Sequence, residues 1–134
     1  MVDLDLDSIR ISLHVLAVSV WIGGQVVMAA LVPVLRAAGP DVPSRGARRF
    51  ARVAWPFFAL AVVSGVWNLF EVDVTDRDTS YQAALAIKLL AVGVSGGAAA
   101  VHSLTDSPRL RAVTGGLGLT AALAALFLGV VLVT

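Results

Sequence analysis

The chain has no cysteine. Disulfides, iron–sulfur clusters and thiolate metal sites are therefore excluded. Methionine is almost as scarce, at Met1 and Met28. Charged residues make up only 14% of the chain, against about 25% in a soluble domain. The net charge of +1 leaves no basic face for nucleic acid. Nucleophile–base pairs, paired buried carboxylates, phosphate loops and zinc signatures are also missing. Hydrolytic or kinase activity is not expected, and no catalytic residue is assigned. What fills the chain instead is apolar: 58% of its 134 residues are hydrophobic, with a mean hydropathy of +0.89.

Crossing the hydrocarbon as a helix takes roughly 20 mostly apolar residues. Four stretches qualify, at about 9–35, 50–70, 82–103 and 113–133. The expected fold is an all-α, integral membrane four-helix bundle forming a single transmembrane domain. Gly39, Pro40 and Pro43 are read as stopping a helix between the first two spans. The 71–80 stretch is acidic and polar, and Asp106 and Pro108 mark the last connection. No basic region precedes the first span, and three acids do, so a cleavable leader is not expected there.

Arginine placement sets the orientation. One side carries Arg10 and Arg77 against Asp3, Asp5, Asp7, Glu71, Asp73, Asp76 and Asp78. The other carries Arg36, Arg45, Arg48, Arg49, Arg52, Arg109 and Arg111 against Asp41 and Asp106. The arginine-rich loops are expected on the cytoplasmic side of the cell membrane, with both termini extracytoplasmic.

Polar residues recur at helical spacing. His14, Trp21, Gln25 and Met28 share one stripe of the first span, and Lys88, Ser95 and His102 one of the third. Ser64 and Asn68 lie one turn apart on the second. Facing lipid is costly for such groups, so the stripes are expected to face inward. Trp21 needs an interior partner, whereas Trp55 and Trp67 fit interfacial belts. The fourth span offers small residues, among them Gly115, Gly118, Ala122 and Gly129, for packing. Gly93 and Gly97 are read the same way on the third.

Depth limits which groups meet. His14, Asn68 and Lys88 fall roughly 5–9 Å below the outer surface and are expected to form one site, with Trp21 and Gln25 beneath. His102 lies about 21 Å deeper than Lys88. The two histidines cannot therefore ligate one iron within a single chain. His14 can bind haem iron or a copper ion, and His102 is a second, weaker metal candidate. Lys88 needs a counter-charge such as Glu71, Asp73 or a haem propionate, or a path to the headgroups.

The stretch LHVLAVSVWIGGQVVMAALVPVLR, Leu13 to Arg36, resembles the first helix of the copper resistance protein D (CopD) family, with its His–Trp–Gly–Gly pattern. Arg49-Phe50-Ala51-Arg52, leading into SGVWNL at Ser64 to Leu69, resembles the family's next helix. YQAALAIKLL, Tyr81 to Leu90, resembles its tyrosine-to-lysine segment. The resemblance implies copper handling, with His14, Trp21, Gly23, Gly24, Asn68 and Lys88 as the matching positions. A second resemblance, ranked lower, is to the HemJ-type protoporphyrinogen oxidase. His14, Trp21, Pro33, Arg36 and Lys88 match it in order. It implies a haem b protein, with His14 as axial ligand and Lys88 on a propionate, acting either as an electron carrier or, if an enzyme, as a haem-dependent membrane oxidoreductase. The expected partner is the lipid bilayer, with a homodimer or a larger membrane complex as further possibilities.

Overall fold

Polar caps, rather than the ends of the apolar runs, mark where the helices begin. The computed structural model describes residues 5–134, so Asp3 lies outside the described residues. Helix α1 spans Leu6–Ala38 and α2 spans Val42–Phe70. Helix α3 spans Thr79–Leu104 and α4 spans Pro108–Val131. Among the described residues these four are long and apolar enough to cross a membrane, and there is no strand. Together they divide into two compact units, parted between Val72 and Asp73.

In the first unit, the Asp5 carboxylate caps α1 by accepting the Ser8 N–H at 2.7 Å. Gly39 ends the helix at φ 154°, a region that L side chains rarely adopt. Helix α2 then starts at Val42, eight residues before the apolar run does. Pro43 does not stop it. A proline in the first turn gives up an N–H that has no helical partner there, so Pro43 starts the helix. Arg45, Arg48 and Arg49 consequently stand on helix rather than in a loop, continuous with Arg52.

In the second unit, a 3₁₀ turn at Val74–Asp76 leads into α3. Gln82 ties the two together by donating to the carbonyls of Val74 and Arg77 at 3.1 and 3.0 Å. The Asp78 carboxylate caps α3, accepting the Tyr81 N–H at 2.8 Å and the Ser80 hydroxyl at 3.0 Å. These bonds, the Tyr81 amide first, hold its carboxyl below the usual 3.8. A depressed value means the cap is intact above the unfolded pKa and fails as pH falls through the folded one. Asp78→Ala is expected to lower the exchange protection of the Tyr81 amide at about pH 6, with the gap to wild type closing under acid. Equal protection at neutral pH would refute this.

The α3–α4 seam is built from small residues. Ser95, Gly96 and Ala98 of α3 are buried, as are Thr114, Gly118, Ala122 and Ala125 of α4. A Cβ on Gly118 would lie 3.5 Å from both the Ala98 Cβ and the Ser95 carbonyl oxygen. This is close backbone approach of the kind that drives helix association in lipid. The glycine of α3 in this seam is Gly96. Gly93 and Gly97 are exposed, and a Cβ on either meets nothing within 4 Å. Outward faces are apolar, as at Leu90 and Phe127.

Candidate functional site

Two polar tiers join α1 to α2. In the tier nearer the start of α1, Arg10 donates through Nη1 to the Asn68 side-chain oxygen. Its Nη2 donates to the Asp7 carboxylate at 2.9 Å. Arg10 is 8% exposed although it sits beside the start of α1, and its Nε is a buried donor with no hydrogen-bond partner among the described residues. In the next tier, the ring Nδ1 of His14 lies 2.9 Å from the Ser64 hydroxyl. Moving one turn along α1 moves one turn back along α2, as antiparallel helices require.

The tautomer of His14 follows from proton counting. A serine hydroxyl has one proton. Ser64 gives it to the Leu60 carbonyl, 2.6 Å away in the preceding turn. Ser64 therefore accepts from His14, whose Nδ1 carries the proton. In the neutral ring with its proton on Nδ1, the lone pair sits on Nε2. Metal-ligating imidazoles are commonly set in this way, by a bond from the other ring nitrogen. Gly65 makes room for the ring: a Cβ there would sit 3.3 Å from the His14 Cε1.

Below His14 the hairpin closes with aromatic packing. Ala17 is fully buried. Trp21 packs on Phe58 with centroids 4.5 Å apart and on Trp55 at 5.5 Å. Trp55 therefore belongs to an interhelical aromatic cluster. Trp67 donates to the Glu71 carboxylate at 3.3 Å. The side-chain amide of Gln25 donates to the Trp21 carbonyl at 3.0 Å, back onto its own helix.

The remaining polar groups lie in the second unit. Lys88 lies over Gly129, where an added Cβ would be 3.2 Å from its Nζ. No carboxylate among the described residues pairs with it. His102 donates from Nδ1 to the Arg111 carbonyl at 2.7 Å, since a carbonyl can only accept. Its ring covers Gly115, where a Cβ would lie 3.2 Å from Nδ1 and Cε1. Arg111 in turn donates to the Thr105 carbonyl at 2.7 Å. His102 thus braces the α3–α4 turn.

Among the described residues, no group of three or more His, Asp or Glu side chains is placed to hold a metal ion. Within the first unit, His14 offers one oriented imidazole. Met28 is fourteen residues along the same helix, about 21 Å away. A soft metal held between them is ruled out by that distance. The sequence alone missed Arg10, which read as a topology charge. Its spacing from His14 equals that of Ser64 from Asn68, and that match was the available signal.

Long apolar helices folded as antiparallel hairpins, each with polar side chains along its inner seam, define a multi-pass membrane protein. Residues 44–134 match the family model of copper resistance protein D, CopD. The match covers more than half of the chain, and the chain belongs to that family. No curated protein and no solved structure matches it. The matched segment contains Asn68 and Lys88, and α1 with His14, Trp21 and Gln25 precedes it. The family's name speaks of copper and says nothing of haem.

Proposed function

We propose that this chain handles copper as cargo in the cytoplasmic membrane, receiving it at the Nε2 of His14. The observation that carries this reading is the Ser64 bond that fixes the His14 tautomer. Family membership supplies the metal. The donor set favours copper(II), which accepts imidazole, over copper(I), which prefers sulfur. Asp7 offsets the Arg10 charge beside the site, so an approaching cation meets a paired guanidinium. Asn68 shapes that approach by holding Arg10, and Trp21 with its aromatic neighbours floors it. Gln25, satisfied by its own helix, lines the next turn. Lys88 and the Nε2 of His102 are secondary binding groups of the second hairpin. The arginine-rich end faces the cytoplasm, and the termini face outward.

Copper(II) titration of the reconstituted full chain, read by nitrogen hyperfine structure in electron paramagnetic resonance, tests this. Wild type is expected to show imidazole nitrogen, and His14→Ala to lose it. Ser64→Ala, which loosens the ring without removing it, is expected to weaken binding by roughly 10–100-fold. Lys88→Met and His102→Ala are expected to have smaller effects. Unchanged copper binding in His14→Ala would overturn the site. A Soret band from haem-supplied wild type that is lost in His14→Ala would transfer the site to haem b.

A further inference from the structure

The arginines at the start of α2 form a surface that copper handling leaves unused. Arg45, Arg48, Arg49 and Arg52 are all exposed, as is Arg36 in the last turn of α1. None of the five guanidinium groups is ion-paired among the described residues. Asp41 is the one carboxylate in the 36–52 stretch. Because α2 begins at Val42, the register of the last four is set by helix geometry. At 3.6 residues per turn they fall within an arc of roughly 100°. The opposite arc holds Phe50, whose ring covers Gly24, and the buried Ala54 and Ser64. The arginines therefore point away from α1.

Farther along α2, the same arc turns apolar and stays uncovered. Val63 is 65% exposed and Phe70 83%, and Ala59 and Val66 on the same arc are also exposed. Arg52 to Val63 is eleven residues, about 16 Å, or one leaflet of a hydrocarbon core roughly 30 Å thick. A free phosphate or a nucleic acid matches only the charged part of this surface. A phospholipid matches both parts.

We propose that this face of α2 binds an anionic phospholipid. The headgroup phosphate is held by Arg45, Arg48, Arg49 and Arg52, and an acyl chain lies along Ala59, Val63 and Val66. Clusters of basic residues beside a membrane span are suited to this, and the planar guanidinium fork fits phosphate oxygens.

Spin-labelled phosphatidylglycerol and phosphatidylcholine, compared in phosphatidylcholine vesicles holding the full chain, test the proposal. Wild type is expected to prefer phosphatidylglycerol by roughly tenfold. The triple variant Arg45→Gln/Arg49→Gln/Arg52→Gln is expected to lose that preference, and Arg109→Gln to keep it. Should the triple variant not fold, wild type decides alone. Its preference is expected to fall as salt rises toward 1 M, where screening acts within about 3 Å. Three outcomes overturn the proposal: no preference in wild type, a preference indifferent to salt, or one that survives the triple change. Stabilisation of the lipid-free chain in neutral detergent by inorganic phosphate, equal to that by phosphatidylglycerol, would assign a free-anion site instead and would likewise overturn it.

Discussion

Asn68→Leu is expected to destabilise the first hairpin by about 3 kcal/mol, because it leaves a second N–H of a buried guanidinium without an acceptor. Arg10 is 8% exposed and its guanidinium already carries one unpartnered donor at Nε. Its Nη1 bond to Asn68 is the contact that joins it to α2. Leucine keeps the volume and removes the acceptor, while Asp7 on α1 retains Nη2. Arg10→Met instead removes the charge and leaves a neutral amide, which is expected to cost less, about 1–2 kcal/mol. The double change Arg10→Met/Asn68→Leu is expected to recover most of the loss, since replacing both partners by apolar groups leaves nothing orphaned. Unfolding of the four proteins in mixed micelles gives the cycle directly. Additive losses would show that the two side chains do not act as a pair.

The second large effect is expected at the glycine pair of α1. A Cβ on Gly24 would overlap the Phe50 ring. A Cβ on Gly23 meets nothing within 4 Å. Gly24→Ala must push the ring aside or part the helices, at about 1–3 kcal/mol. Gly23→Ala is expected to stay within about 0.5 kcal/mol of wild type. Phe50→Leu in the Gly24→Ala background relieves the overlap and is expected to restore much of the stability. Equal effects of the two alanines, measured by thermal unfolding, would sink the assignment. Neighbouring glycines of one resemblance pattern thus have different work, and only Gly24 sets the approach to α2.

Span number was legible because length and apolarity decide it, and all four runs proved helical. Helix ends were not legible from apolarity. Helix α2 continues through Arg52, Arg49, Arg48 and Arg45, which are good helix formers without being hydrophobic. The His14 and Ser64 stripes were legible as inward-facing, since 3.6-residue spacing survives in any packing. Which stripes meet depends on helix rotation, which spacing alone does not encode. Ser64 therefore met His14, while Asn68 turned to Arg10. The same limit explains the glycines of α3. Small residues were visible in a row, but burial chose Gly96 over Gly93 and Gly97.

Lys88 and His102 of α3 lie over Gly129 and Gly115 of α4. Both pairs are fourteen residues apart along their helices. A seam of small residues has little to stop one helix sliding past the other. Two bulky polar side chains seated in two matching notches do. A slip of a single residue would set the Lys88 stem against Leu128 or Val130 and the His102 ring against Thr114 or Gly116. The hairpin is keyed, and its keys are the same side chains that polarity alone would have reserved for binding.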